Sequence, residues 1–415
     1  MRPNPRQKIY RFNPISNFFH LFTLNLFNRN KTFELENYFK KMFNCKNVKC
    51  ISRGRIGAYL ATKVSIRKNK KKIIMSPFTI YDLVNMVICA GGIPVFADVN
   101  KSTLTIDLDC IKSVYDQDVA AIIITHTHLL NKDLEEIIIF CKKNNIVLIE
   151  DCAISFGTAF NNKFIGTFGD ISFFSFGIFK FVSSLNGGMI MSNNTDIFKK
   201  IDQELLNFKK INYKLICKNY FKSLFISILT NSFIFKIFTS YLVKLGYQNN
   251  NKFINNFSKN DPNPKLLNYL PDNYKINITV DQSANILKQL GNYKYDLGKR
   301  IENAKIYYDN LKDIKNIHIP KFEKGISNGW INFPIQYKKR DKLLNYLFEN
   351  NRDLAIYFYR NCNDLQIFSK YRDRNLKIID EVVKEIIILP TYPKYGRVQI
   401  MRNIYLIKKY FNDNE

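Results

Sequence analysis

This sequence predicts an α/β fold: a large domain on a mainly parallel sheet, followed by a smaller C-terminal α+β domain. Three observations lead there. Short apolar runs of strand length recur between positions 71 and 192, and helical patterns lie between several of them. The runs are apolar at successive positions, as in strands buried on both faces. The chain has 415 residues, 46% of them hydrophobic, which is too much for one compact core and enough for two.

Residues 1–32 are basic and then apolar. Pro14, Asn17 and His20 interrupt the apolar part, so the stretch reads as an arm packed on the body and not as a secretory signal. The large domain is expected over 33–204. Its strands are read at Lys71 to Ser76, Ile93 to Val99, Val119 to Thr127, Asn145 to Asp151, Ile171 to Phe176 and Gly187 to Ser192, with a helix over Asp133 to Asn145. An insertion is expected over 205–277. In it, Phe221 to Gly246 is almost wholly apolar, but the uncharged run from Ser223 to Phe235 has only 13 residues. About 20 are needed to span a bilayer. A helical hairpin packed on the body or lying on a membrane surface is expected there, then a polar loop from Asn249 to Pro264. The last region, 278–415, opens with one long helix over Val280 to Leu311. It continues as short strands, such as Trp330 to Tyr337, mixed with helices.

The formal charge is +28, but the lysines are scattered through a chain also rich in Asn, Ile, Phe and Tyr. That balance suits an AT-rich coding sequence, and nucleic acid is not an expected partner. Attraction to anionic substrates or an anionic membrane surface is. The eight cysteines form no CxxC pair, and His126 and His128 stand alone as metal candidates. No metal is expected, and the cysteines read as reduced core residues of a cytoplasmic protein.

Four features fall at strand ends, where open α/β sheets place ligands. Ile51 to Thr62 puts small and polar residues before a helix, so Ser52, Gly54 and Arg55 form either a phosphate cradle or an ordinary capped helix. Val147 to Gly157 ends a strand in Glu150-Asp151, which is a working carboxylate or a solvated turn. Phe164 to Phe176 carries turn glycines and Asp170 before a strand ending at Ser175; for the glycines an ordinary tight turn is expected. Lys180 lies in the apolar stretch Phe174 to Met191. It is either a snorkelling cation or an amine whose pKa burial lowers for imine chemistry. A phosphate cradle, a carboxylate, a hydroxyl and a desolvated lysine together are what pyridoxal phosphate (PLP) requires.

With these residues in view, the chain resembles the DegT/DnrJ/StrS family of PLP-dependent sugar aminotransferases. The resemblance is carried by Ile73 to Asp107, Val147 to Thr158, Gly166 to Lys180, Leu185 to Asn194, Val280 to Leu290, Arg300 to Leu311 and Ile388 to Pro393. It implies the fold-type I aminotransferase fold. It also implies that Lys180 is the Schiff-base lysine and proton shuttle, that Asp151 pairs with the pyridine nitrogen, and that Ser175 with the Ser52, Gly54 and Arg55 turn holds the phosphate. Ile80 stands where the family often has a ring-stacking aromatic, with Tyr81 next to it. The implied activity is transfer of an amino group, usually from glutamate, to a nucleotide-linked ketosugar for surface glycans. The implied assembly is a homodimer in the cytoplasm. The hairpin at 221–246 adds an expected peripheral contact with the inner membrane.

The sequence also departs from the family. Ile154 replaces a polar neighbour of the cofactor ring, Phe181 replaces the Asn after the lysine, and Asn186 replaces a frequent Glu. The family's Arg-Asn-His-Gly segment is not visible near Leu205 to Leu215. A second reading therefore stays open: a non-catalytic descendant acting as a regulatory or scaffold protein.

Overall fold

A computed structural model describes residues 30–127, 129–130, 133–178, 180–209, 213–229, 231–242, 264–352 and 359–414. Nearly all of the expected N-terminal arm, most of the polar loop at 249–264, and His128 lie outside these residues.

The first helix, α1 (Lys31–Phe43), leads into β1 (Asn47–Ile51) and α2 (Gly54–Ser65). Then come β2 (Lys72–Met75), β3 (Phe78–Thr79), α3 (Tyr81–Cys89), β4 (Ile93–Phe96), α4 (Leu108–Lys112), β5 (Val119–Thr125), α5 (Leu134–Asn144) and β6 (Val147–Asp151). A small hairpin, β7 (Ala159–Phe160) and β8 (Lys163–Phe164), precedes β9 (Ile171–Ser175), β10 (Gly188–Ser192) and α6 (Thr195–Leu206). The main sheet has seven strands in the order β1-β10-β9-β6-β5-β2-β4. Neighbours from β9 to β4 pair in parallel, and β10 runs antiparallel to both β9 and β1. The expected mainly parallel sheet is present, with β10 reversed.

The apolar runs form this sheet because helices cover both its faces. All seven residues of β5 are buried, a pattern that only a doubly covered strand sustains. At the other edge, Phe39 and Phe43 of α1 pack on Phe156, Phe174 and Phe176. Ring pairs of this kind add about 0.5–1.5 kcal/mol each beyond the area they bury. They fix the strand that leads to Lys180.

The apolar insertion forms α7 (Tyr213–Leu229) and a second helical arm over 232–242. Among the described residues no helix is long and apolar enough to cross a membrane.

The single long helix expected over Val280 to Leu311 is two helices, α8 (Val280–Leu290) and α9 (Tyr293–Leu311). Gly291 and Asn292 interrupt it. Gly291 carries a large entropic cost in a helix and Asn292 leaves helical geometry (φ −112°, ψ 8°), so the first helix ends there and a second begins. Beyond them β11 (Ile326–Ser327) joins β7, and β12 (Asn332–Gln336) pairs with a later strand across α10 (Arg340–Glu349), β13 (Arg360–Asn361) and α11 (Lys377–Glu385). That partner is β14 (Ile386–Pro390), antiparallel to β12, and α12 (Arg397–Asn414) closes the chain. These last elements build a second core around Tyr307, Trp330, Phe333 and Leu389. Within it the buried Arg352 guanidinium donates to Asn403, Gln399 and Tyr395.

One side chain sets up a pH dependence of stability. Asp281, in the first turn of α8, has both carboxylate oxygens enclosed with no hydrogen-bond partner. Burial raises its pKa from 3.8 to about 6. The folded state therefore holds this proton more tightly than the unfolded chain. The cost of ionising it is absent below pH 3.8, grows between there and 6, and is complete above. Asp281→Asn should raise stability by about 2–3 kcal/mol at pH 8 and by almost nothing near pH 3.5. Denaturant unfolding at the two pH values checks this, and an equal gain at both would refute it.

Candidate active site

The C-terminal ends of the parallel strands open on a cavity of about 440 Å³. Asp151 ends β6, Ser175 ends β9, and the turn between β1 and α2 brings Arg53, Gly54 and Arg55 to the same place. Thr79 arrives from the end of β3, Ile80 from the residue before α3, and Lys180 from the segment after β9. Ile331, Asn332 and Ile388, at the β12–β14 ladder, form the opposite wall, so the cavity lies between the two cores.

Of the residues singled out in the sequence, Gly54, Arg55, Ile80, Asp151, Ser175 and Lys180 all line this cavity. Ser52 does not. It is buried beneath the turn, and its hydroxyl has no hydrogen-bond partner. Three lining or supporting residues carry no local signal. Arg53 faces the cavity, and Arg53 and Arg55 both stack on Tyr274, at 4.7 and 5.5 Å from the ring centre. Arg55 also donates to the Tyr274 hydroxyl (2.9 Å) and pairs with Asp82 at 2.6 Å. Tyr274 is 219 residues from Arg55, so nothing in the local sequence could have marked it. Tyr359 supplies an aromatic wall that Ile80 does not, whereas Tyr81 turns into α3 and is not part of the lining.

The glycine of the turn has a steric reason. A Cβ on Gly54 would sit 2.5 Å from Ser175 Cβ, so only glycine lets the α2 N-terminus reach the end of β9. The first N–H groups of a helix have no intrahelical acceptor and favour an anion. Here they come together with the Ser175 hydroxyl and two guanidinium groups.

The two acidic residues ending β6 have different jobs. Glu150 is completely buried and points away from the cavity. It accepts from Gly166 N–H (2.9 Å), Phe168 N–H (2.8 Å) and Gly169 N–H (2.6 Å), and it pairs with His126 at 3.0 Å. Burial alone would raise its pKa, but His126 and these backbone donors outweigh it and hold the carboxyl below its ordinary value. The turn glycines expected to be ordinary thus grip a structural carboxylate, and Gly166 needs its left-handed φ of 93° to do so. His126, Glu150 and Cys152 lie close enough to hold a cation. The backbone donors already take up the Glu150 oxygens.

Asp151 is the carboxylate that faces the cavity. Its Oδ1 accepts from Ala153 N–H at 3.0 Å and its Oδ2 from the Thr125 hydroxyl at 3.4 Å. Burial raises its pKa, opposed by the Ala153 N–H and by the charge of Lys180. Lys180 is shifted the other way. Burial lowers its pKa from 10.5 to about 8, Asp151 partly restores it, and Arg55 lowers it further. At pH 7 about a tenth of such amines are neutral, against about one in three thousand for an ordinary lysine. The apolar surroundings of Lys180 therefore make a reactive amine.

These residues fit a phosphorylated aromatic aldehyde. The Gly54 cradle, the arginines and Ser175 suit the phosphate, the Lys180 amine suits the aldehyde, and Asp151 suits a cationic ring nitrogen. Of the departures, Ile154 lines the cavity as an apolar wall and Asn186 also faces it. Phe181 is outside the lining. It packs on Phe156, with the Arg300 guanidinium 4.8 Å from its ring centre.

Comparison with known proteins follows the same lines. Residues 24–221 and 246–405 match the DegT/DnrJ/EryC1/StrS aminotransferase family. The GDP-perosamine synthase of Vibrio cholerae is 30% identical over 189 residues, which is 45% of this chain and 52% of that one. The match thus spans about half the length of that relative. The dTDP-3-amino-3,6-dideoxy-alpha-D-galactopyranose transaminase of Aneurinibacillus thermoaerophilus is 24% identical over 77% of this chain and 73% of its own. NtdA from Bacillus subtilis, solved with bound cofactor PMP, superposes with a TM-score of 0.72 at 17% identity, over 97% of this chain and 84% of that one. The last likeness shows a shared fold.

Proposed function

The chain belongs to the DegT/DnrJ/EryC1/StrS aminotransferase family, and from that premise we propose that it transfers an amino group from an amino acid, glutamate by preference, to a nucleotide-linked ketosugar. The observation that carries the reading is the pairing of Lys180, its pKa lowered to about 8, with the buried Asp151 in one cavity.

When bound, PLP supplies the electron sink for this chemistry. The residues around it do the rest. Arg53, Gly54, Arg55 and Ser175 bind its phosphate. Asp151, held by Ala153 N–H and Thr125, keeps a proton on the ring nitrogen. Lys180 Nζ would hold the cofactor, and its amine would move the proton at the substrate carbon that gains or loses nitrogen. Ile80, Ile154, Ile178 and Leu185 exclude water, which keeps the amine reactive. The product is an aminosugar for glycan assembly. The proposal includes a homodimer and a cytoplasmic setting beside the inner membrane. The lining residues at Ile154 and Asn186 are where substrate choice departs from the family's habit.

The non-catalytic reading is tested by the same experiment. Purified protein with added PLP should absorb near 420 nm, and glutamate should bleach that band in a single turnover. A panel of nucleotide ketosugars should then restore it. No band, or a band that glutamate leaves unchanged, would reject transamination.

A further inference from the structure

We propose that the helical hairpin over 213–242 seats this protein on an anionic phospholipid surface through its exposed aromatic rows. The inference deepens the membrane-side setting proposed for the enzyme and does not depend on its reaction.

The hairpin has an inner and an outer face. Inward, Tyr220, Leu224 and Ile226 pack against Leu185, as Ile178 does, and Leu185 and Ile178 both line the cavity. Outward, Phe221 (64% exposed), Phe225 and Ile228 form one row on α7. Phe233 (71% exposed), Ile237 and Tyr241 form a second row on the following arm. Both rows have the spacing of a single helical face. The Thr239 hydroxyl donates to Leu229 C=O at 2.8 Å and ties the second arm to α7. Large apolar side chains so exposed and so close in sequence mark a contact surface.

Charge decides which partner. From Leu205 to Asn260 the sequence holds nine lysines and no aspartate or glutamate. Aromatic side chains on a helix flanked by lysines suit the boundary between headgroups and acyl chains, and anionic lipids add attraction at each lysine. A second copy of this chain would bring two acid-free, lysine-rich segments together, which like-charge repulsion opposes. Among the described residues neither helix is long and apolar enough to cross a membrane, so the hairpin would lie in the interface. Because its inner face rests on Leu185, which lines the cavity, lipid contact would place the cavity edge next to the membrane.

Co-sedimentation of the full chain with vesicles provides the test. Phosphatidylglycerol–phosphatidylethanolamine vesicles should pellet the protein at least tenfold better than phosphatidylcholine vesicles, and high salt should weaken the binding. The triple variant Phe221→Ser/Phe225→Ser/Phe233→Ser changes only exposed positions. It should lose at least tenfold of the phosphatidylglycerol binding and still take up PLP, which shows that its cavity is intact. Wild-type protein that ignores the anionic vesicles, or a variant that binds them as well as wild type, overturns the proposal. If wild type ignores vesicles and the variant breaks a larger species in sizing chromatography, a second copy covers this face instead. Cofactor absorbance and vesicle binding are separate readouts, so failure of either reading is recognisable on its own.

Discussion

Lys180→Ala should abolish the 420 nm band of the PLP-loaded protein and lower transamination by at least about a thousandfold. Among the described residues lining the cavity, Lys180 carries the one amine; the other cations there, Arg53 and Arg55, are guanidinium groups. A guanidinium does not deprotonate under these conditions. Lys180→Arg, which keeps the positive charge, should therefore fail as completely as Lys180→Ala. The pair of variants separates amine chemistry from charge. Absorbance after PLP addition and single-turnover rates with glutamate are the measurements. If Lys180→Arg kept the band or the rate, Lys180 would be an electrostatic neighbour and the enzyme reading would lose its central residue.

Asp151→Asn is expected to cost about a hundred- to a thousandfold in kcat with little loss of stability. The amide has the shape of the carboxylate. Its oxygen can still accept from Ala153 N–H, and its NH2 can donate to the Thr125 hydroxyl. What disappears is a negative charge placed to hold a proton on the cofactor ring. A second readout follows from the sign of the coupling. Asp151 raises the Lys180 pKa toward its ordinary value, so removing the charge should move the midpoint of PLP uptake to a lower pH than in wild type. A merely structural Asp151 would lower stability without moving that midpoint. A kcat within about twofold of wild type would remove Asp151 from the proposed mechanism.

Much of this site was legible because its parts sit at strand ends. Asp151 and Ser175 close runs whose apolar character alone identifies them as interior strands. Gly54 opens a helix whose pattern of small and polar residues before an apolar run marks its start. These signals are local, and each was ambiguous until they were taken together. Lys180 read alone looked like a cation seeking solvent. The structure gives the physical reason for the opposite outcome, since burial lowers its pKa to about 8 while Asp151 partly offsets the shift.

Other parts could not have been read. Glu150 and Asp151 are adjacent and of one charge type, yet one clamps a turn while the other faces the cavity. Successive residues of a strand point to opposite sides, and which side holds the cavity is decided by the layers around the sheet. Tyr274, Asn332 and Tyr359 reach the site from far along the chain, from elements whose own sequence carries no chemical motif. The break at Gly291-Asn292 was hidden because the apolar periodicity continues through it.

The sequence by itself determined the fold class, the order of the strands along the chain and which amine, carboxylate and glycine turn are the candidates for the site. Those depend on residue type and on spacing within a few positions. Tertiary structure alone decided which carboxylate faces the cavity, that Ser52 stands behind the wall while Arg53 stands in it, and how far Lys180 is desolvated. These depend on distances between segments that only packing sets, and desolvation is a property of everything that surrounds a group.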